Sequence, residues 1–314
     1  MAGLFSTISG HELNTISDVS VMNLYVGGTG PGNYSSIQGA VDDALDGATV
    51  IVYAGLYKEN IWISSPIHII GLEKEKTIIS PSNSSEILVI DSVSYTIIEN
   101  LTFTCNNEKQ FDIIKMINCD HCTIYNVNII SETLQRSAIN VNGFYNTIER
   151  VKTMGRYFFS GVELYHGGDN NVKNNSFESC SEGILIHRSH NNLISSNVII
   201  NNTNGIYIEE GNQNFINHNV LNGNNRGLFS SYSTGNLIEK NDFFDNDQHA
   251  KFIKLFRIGF LIPNNWRNNY WDNYKGFFTK PILGAIYIPN RHLFGWFFPW
   301  LEFDKFPSNE PLNA

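Results

Sequence analysis

The sequence is short of charge and of cysteine. Only 16% of its 314 residues are charged, and no cluster of Lys or Arg stands out against the net charge of −9. This balance argues against a nucleic-acid partner or an anionic membrane surface. Four cysteines are too few for a disulfide scaffold of this size. The one CxxC motif, Cys119-Asp-His-Cys122, lacks the second pair of a zinc ribbon, so we predict thiols without a metal.

Segments that would target or cross a membrane are also missing. No apolar stretch approaches the roughly 18 residues of a spanning helix, so we predict a chain that does not span a membrane. The start of the sequence has no basic region followed by an apolar one, so we see no signal peptide. The residues alone leave the cellular location open.

Asparagine is what the sequence has in abundance. Of 42 Asn residues, 31 lie between Asn118 and Asn273. Asn is unfavourable inside helices and favourable in turns and left-handed backbone positions. A chain this rich in Asn, Ile and Gly is predicted to consist of strands and turns throughout.

A repeat of about 22 residues organises these strands. Asn recurs at 170, 192, 214 and 236; the same position leads back to 146, 122 and 96 and forward to 264. Two further positions in each copy are almost always apolar. Two residues after each start stand Ile98, Ile124, Ile148, Val172, Ile194, Ile216, Ile238 and Trp266. Seven residues after it stand Phe103, Ile129, Thr153, Phe177, Ile199, Leu221, Phe243 and Trp271.

The repeat predicts a solenoid in which each coil adds one strand to two or three parallel sheets. Each copy is too short to bury a face alone, so stacked neighbours must share one core. Helix-pair repeats are longer, at about 33–47 residues, and leucine-rich repeats need many fixed Leu positions that are missing here. An Asn above an Asn in successive coils can form a hydrogen-bonded ladder, which explains why the residue recurs.

Each end of the solenoid needs a cover. Ser35 or Ser36 is predicted to cap a helix that carries Ile37, Ala40, Val41, Ala44 and Leu45 on one face and ends near Gly47. We divide the chain into an N-terminal arm (1–21), a β-helix (22–274) with its cap at about 25–80, and an irregular aromatic-rich tail (275–314). The tail "HLFGWFFPWLEFDKFP" is predicted to pack on or cap the helix; a sugar-stacking platform, an oligomer contact and a membrane-facing patch are alternatives.

The stretch "SIQGAVDDALDGATVIVYAGLYKENIWISSPIHIIGLEKEKTII" resembles the start of pectin-lyase-like right-handed parallel β-helices, particularly the NosD-like group. The later N-x-I-x-x-N and G-I-x-I repeats and "NYW" are similar to the same group, over about 25–275. The resemblance implies an all-β, single-stranded right-handed parallel β-helix and an extracellular or cell-surface location. It also implies a link to carbohydrate-binding proteins and sugar hydrolases. The copper role of NosD is not transferred, because Met22, Met116 and Met154 are scattered and His187, His190 and His218 only loosely grouped.

The candidate site lies on an outer sheet face, where a second strand follows a small residue in each copy. Outward positions form two columns: Asn140, Glu163, Leu185, Tyr207, Phe229, and then Asn142, Tyr165, His187, Glu209, Ser231. His166, Arg188, Glu210 and Tyr232 follow just beyond them. The predicted ligand-binding residues are Tyr165, His166, His187, Arg188, Tyr207, Glu209 and Glu210.

These residue types favour binding to a glycan, because aromatic rings stack on sugars and polar groups hold hydroxyls. Proton transfer by Glu163, His187, Arg188 and Glu209 is an alternative, and a plain surface of charge pairs is another. The outer columns have no Asp cluster like that of galacturonan hydrolases, and the sequence has no Asp-Pro-His motif of alginate epimerases. Asp242, Asp245 and Asp247 are the nearest acidic group to a calcium site but are predicted to solvate a turn.

We therefore predict a non-catalytic β-helix that binds a polysaccharide or another surface partner and carries no cofactor or metal. A polysaccharide lyase, epimerase or hydrolase is the second hypothesis. A structural subunit that forms a homo-oligomer through the aromatic tail is the third.

Overall fold

The chain winds into a parallel β-solenoid, as the repeat predicted. The computed structural model describes residues 22–155, 158–256, 262–276, 278–289 and 295–313. The predicted N-terminal arm (1–21) lies outside these ranges. Each coil contributes one strand to each of three parallel ribbons, which together form all but the ends of the molecule.

The strands of the three ribbons alternate along the chain. The first ribbon contains β1 (Asn23–Val26), β2 (Thr49–Val52), β5 (His68–Gly71), β8 (Ile97–Glu99), β11 (Thr123–Tyr125), β14 (Thr147–Glu149), β17 (Asn171–Lys173), β20 (Leu193–Ser195), β23 (Phe215–Asn217), β26 (Leu237–Glu239) and β29 (Asn265–Arg267). The second contains β4 (Ile61–Ile63), β7 (Leu88–Asp91), β10 (Ile114–Ile117), β13 (Gln135–Val141), β16 (Phe158–Gly168), β19 (Cys180–His190), β22 (Asn204–Glu209), β25 (Arg226–Ser231), β28 (Gln248–Leu255) and β31 (Lys280–Ile288). The third contains β3 (Gly55–Lys58), β6 (Thr77–Ser80), β9 (Thr102–Cys105), β12 (Asn128–Ser131), β15 (Lys152–Gly155), β18 (Ser176–Glu178), β21 (Val198–Ile200), β24 (Val220–Asn222), β27 (Asp242–Phe244) and β30 (Tyr270–Trp271).

The two repeating apolar positions form continuous internal stacks. Ile194 pairs with Ile216 in the first ribbon, and both side chains are fully buried. Ile199 pairs with Leu221 in the third ribbon and is buried in the same way. Burying one such side chain contributes about 1.5–3 kcal/mol, so the stacks provide much of the stability that a single coil lacks.

Three ladders of buried Asn side chains run along the bends between ribbons. In each ladder, the backbone N–H and the side-chain Nδ2 of one Asn donate to Oδ1 of the Asn one coil further on; for Asn192 and Asn214 these distances are 2.9 and 2.8 Å. The spacing is 22 residues in the central coils and 24 or 28 towards the ends. The first ladder is Asn146, Asn170, Asn192, Asn214, Asn236 and Asn264; the second is Asn175, Asn197, Asn219, Asn241 and Asn269; the third is Asn202, Asn224 and Asn246.

The N-terminal end of the solenoid is covered by a short helix, α1 (Ile37–Asp43). Ser36 is its N-cap and accepts a hydrogen bond from the N–H of Gly39 at 3.2 Å. The prediction that the helix continues through Ala44 and Leu45 is wrong. The chain is already extended at Ala44, and the Leu45 side chain is 68% exposed, because the helix only has to cover one coil.

The C-terminal end is covered by an antiparallel hairpin, so the prediction of an irregular tail is wrong. Strand β31 pairs with β28 on one side and with β32 (Trp296–Asp304) on the other. Alternating apolar residues in both segments allow this pairing in spite of the prolines. The hairpin exposes several large side chains, among them Trp296 (65%) and Phe297 (57%). An oligomer contact through this surface stays a prediction.

The hairpin also ends two of the three Asn ladders. Asn264 donates to the carboxylate of Glu302 at 3.0 and 3.4 Å, and Asn269 donates to Asp304 Oδ2 at 3.1 and 2.9 Å. Glu302 is fully paired, because the buried Lys254 Nζ lies 2.7 Å from its Oε1. Two carboxylates thus satisfy the donors that the last coil would otherwise leave without a partner.

Candidate functional site

The outer face of the second ribbon has the predicted columns. Asn140, Glu163, Leu185, Tyr207 and Phe229 are paired from coil to coil, and the column continues to Lys251. Tyr165, His187, Glu209 and Ser231 form the next column in the same register. The register prediction is therefore confirmed, while the function of these residues stays a prediction.

A bend before these columns explains the small residue in each copy. A Cβ built on Gly183 would lie 2.5 Å from a side-chain carbon of Ile199 and 2.6 Å from the carbonyl oxygen of Gly205. Only a glycine lets the strand turn here without pushing the next coil away. Side chains before and after the bend are in contact on the outer face, since Ser137 Oγ donates to Glu163 Oε2 at 3.0 Å.

A second bend follows the columns. His166, Arg188, Glu210 and Tyr232 all have left-handed backbone conformations, with φ between 47° and 53°. The two sets of side chains remain in contact across this bend. The His166 ring meets that of Tyr165 edge-on at 4.2 Å and lies 6.3 Å from that of His187, so the predicted site residues form two adjoining parts of one surface.

The second bend borders a groove of about 890 Å³, which we call the bend groove. Three of the predicted residues, His166, Arg188 and Glu210, line it. The hairpin contributes Tyr287 and the preceding strand contributes Leu255, neither of which was predicted. The complete lining is His166, Arg188, His190, Glu210, Asn212, Tyr232, Thr234, Leu255 and Tyr287.

The polar groups of the bend groove are held in place by contacts between coils. Arg188 Nε donates to Glu210 Oε2 at 2.9 Å, and Nη2 donates to Oε1 at 3.4 Å, with both side chains about half exposed. The hydrogen bond and the charge of Glu210 raise the pKa of Arg188 above its ordinary value. His190 Nδ1 accepts from the N–H of Asn212 at 3.0 Å, which fixes the tautomer of the ring when it is neutral.

The outer columns are lined by looser contacts. His187 Nε2 lies 3.9 Å from Glu209 Oε2, beyond hydrogen-bond distance, and its ring meets that of Tyr165 edge-on at 5.3 Å. The rings of Tyr207 and Phe229 stack at 5.0 Å. Burial, followed by the charge of Glu209, raises the pKa of Tyr207 to about 12, so this hydroxyl stays protonated at neutral pH.

Two carboxyl groups on this face are held away from water. Glu163 accepts from Ser137 Oγ and Asn140 Nδ2, both at 3.0 Å, but burial still raises its pKa. Burial raises the pKa of Glu182 to about 7. Glu182 was not predicted, because it stands just before the small residue, at a position outside the two outer columns.

The chain's similarity to known proteins agrees with this architecture. A family model for NosD, described as a periplasmic copper-binding protein, matches residues 72–276, which is 205 of the 314 residues. The chain belongs to the NosD family. A comparison with curated proteins found no match.

Several solved structures share the fold of this NosD-family chain. A complex of XylC with xylose has a TM-score of 0.58 at 10% identity, covering 75% of this chain and 69% of that one. An exopolygalacturonase from Thermotoga maritima has 0.52 at 11%, covering 82% and 87%. The A-module of mannuronan C-5 epimerase AlgE4 from Azotobacter vinelandii has 0.51 at 14%, covering 73% and 81%. At these identities the likeness establishes the fold alone.

The copper that the family description names does not fit the donors of this chain. Among the described residues, no group of three or more His, Cys, Asp or Glu side chains is arranged to hold a metal ion. The thiols of Cys119 and Cys122 are fully buried and contact the carbonyl oxygens of Ile90 and Val93. We derive no copper chemistry from this arrangement.

The predicted turn with Asp242, Asp245 and Asp247 is only partly correct. Asp242 begins strand β27, is fully buried, and accepts from the N–H groups of Leu312 and Asn313 at 2.6–3.0 Å. Its carboxylate therefore ties the C-terminal segment to the solenoid.

Across the described part of the chain, no helix is long and apolar enough to traverse a bilayer.

Proposed function

We propose that this NosD-family chain binds a polysaccharide, or another polymer rich in hydroxyl groups, in the bend groove without altering it. The observation that carries the proposal is the row of His166, Arg188, Glu210 and Tyr232 on successive coils, with Tyr287 of the hairpin lining the same groove. Tyr232 and Tyr287 lie 6.3 Å apart between ring centres. Rings on the walls and polar tips between them suit a sugar chain.

Two further findings support a carbohydrate ligand. The solved structures with this fold include an epimerase of mannuronan, an exopolygalacturonase and a complex with xylose. The family is described as periplasmic, and we place this chain in the periplasm or outside the cell, where glycan polymers are accessible.

Binding is tested on a panel of acidic and neutral polysaccharides with the full chain and the variant Arg188→Ala. We expect retention of at least one polysaccharide and at least tenfold weaker binding by the variant, because Arg188 and Glu210 form one polar unit of the groove. Lys173→Ala is the matched control, since Lys173 forms a similar ion pair with Glu149 at 3.2 Å on the first ribbon. Retention of no polysaccharide, or equal losses in the two variants, would contradict the proposal.

A polysaccharide-active enzyme is the second candidate. The observation that favours it is Glu163, whose pKa is raised by burial and whose column adjoins that of His187. A carboxyl group whose pKa is raised by burial keeps its proton to higher pH than an ordinary Glu, which favours general acid catalysis. New reducing ends or an unsaturated product, lost in His187→Ala, would favour this function over simple binding.

A further inference from the structure

A third column on the outer face lies just before the glycine bend. It contains Ser137, Ser160, Glu182, Asn204 and Arg226, paired from coil to coil. The bend folds this column against the next one. Ser137 donates to Glu163 at 3.0 Å, and the Arg226 guanidinium lies 5.1 Å from the centre of the Phe229 ring. We call the outer surface at Ser160 and Glu182, which are paired on neighbouring coils, the crease.

The crease contains two buried polar atoms without a partner among the described residues. Glu182 is 8% exposed, and its Oε2 has no hydrogen-bond partner. Ser160, one coil before it, is fully buried, and its Oγ also has none. Buried polar atoms are satisfied in the great majority of cases, so an unpaired carboxylate oxygen beside an unpaired hydroxyl indicates a missing ligand group.

Glu182 has no cation in direct contact. No Lys, Arg or His within the described chain lies within 4.0 Å of its carboxylate oxygens. Arg226 is two coils from Glu182, and its Nη1 donates to Asn204 Oδ1 at 3.3 Å. Burial is the main cause that raises the pKa of Glu182; a hydrogen bond with Asn204 and the charge of Arg226 oppose it, and the charge of Glu209 adds to it. Because a buried carboxylate needs a cation or several donors, Glu182 instead keeps its proton up to near neutral pH.

We propose that the crease binds the primary ammonium group of a ligand, such as an amino sugar, between Glu182 and Ser160. An ammonium group has three donors and no acceptor, which matches the unpaired carboxylate oxygen and hydroxyl as acceptors. Arg226 lies one strand beyond Asn204, and its positive charge repels a second cation from this end of the crease.

Binding is coupled to the release of a proton. Below neutral pH, free Glu182 is protonated; an ammonium group beside it favours the ionised form. The carboxyl group loses its proton to the buffer, and the ligand nitrogen keeps its own. No covalent bond to the ligand forms or breaks. This inference does not rest on the proposed function, since it uses none of the residues that line the bend groove.

The inference is tested by calorimetry on the full chain with two probes, a tetramer of glucosamine and a tetramer of N-acetylglucosamine. The probes differ in the N-acetyl group, which replaces each charged ammonium group by a neutral amide. At about pH 6, in buffers with different ionisation enthalpies, we expect the glucosamine tetramer alone to bind, with release of about one proton. Glu182→Gln should weaken binding at least tenfold and abolish the proton release. Glu178→Gln, an equal charge change on an exposed Glu of the third ribbon, should leave both unchanged.

Several results would overturn the inference. Absence of binding, equal binding of both tetramers, or binding that Glu182→Gln does not weaken would each do so. Binding of the glucosamine tetramer that is lost in Arg188→Ala and kept in Glu182→Gln would assign it to the bend groove instead. Binding of calcium ions with the same proton release would identify the crease as a metal site.

Discussion

On the coils between Asn170 and Asn236, the interior bends and the outer face follow opposite patterns. The buried ladder repeats one residue with one hydrogen-bond geometry on every coil. The outer column on the same coils changes from Glu163 to Leu185 to Tyr207 to Phe229. At interior positions, where only stacking between coils constrains the residue, the same residue recurs on every coil. On the outer face the residue differs from coil to coil, so stacking does not determine it, and contact with a ligand can.

The largest expected effect is in the ladder. Replacing Asn214 by Ala removes the oxygen that accepts from both the N–H and the Nδ2 of Asn192. Two buried donors are then unsatisfied, so we expect the free energy of unfolding to fall by about 4 kcal/mol. Denaturant unfolding followed by circular dichroism measures it. Asn225→Ala, at an exposed Asn, is the control and should change stability by less than about 0.5 kcal/mol. Similar losses of unfolding free energy in both variants would show that a ladder Asn contributes no more to stability than an exposed Asn.

The next effect concerns the place where the repeating interior meets its non-repeating cap. Glu302→Gln leaves the buried Lys254 without its charge partner and weakens the acceptor for Asn264. We expect a loss of about 3 to 4 kcal/mol, since removing one member of a buried pair leaves an uncompensated charge. Hydrogen exchange should locate the loss in the last coils. Faster exchange spread evenly along the solenoid would contradict the assignment of Glu302 as a local cap.

On the outer face, Glu182 should make the free energy of unfolding depend on pH. Its pKa is about 7 in the folded chain against 4.5 for an ordinary Glu, so the unfolded chain loses this proton first as pH rises. Stability therefore falls between about pH 4.5 and 7, by at most about 3 kcal/mol. Glu182→Gln should remove this part of the decline, as measured by unfolding at pH 4.5 and pH 8. The same pH dependence in wild type and variant would mean that Glu182 ionises normally.

The contacts between residues that repeat at a fixed interval could be predicted from the sequence. A fixed interval of 22 residues was enough to place Ile194 over Ile216 and Tyr165 beside His187 and Glu209, because coil length alone determines which residues stack. Contacts between residues outside the repeat could not be predicted from the sequence. Asn264 meets Glu302 across 38 residues, and no interval in the sequence predicts it. The same is true of Tyr287, which reaches the bend groove only because the tail folds back as a hairpin.

The smallest effect tests whether this unpredicted residue belongs to the site. Tyr287 lies on a strand of the cap, yet it lines the bend groove beside Tyr232, with 6.3 Å between the two ring centres. Tyr287→Ala should leave the Asn ladders intact and weaken polysaccharide binding about tenfold, the loss of roughly one stacked ring. Phe306→Ala, an exposed aromatic residue of the tail outside the groove lining, is the control. If both variants bind like wild type while Arg188→Ala does not, the hairpin is a cap alone and the ligand contacts only the coils. If Tyr287→Ala alone loses affinity, the cap that ends the repeat also completes the groove.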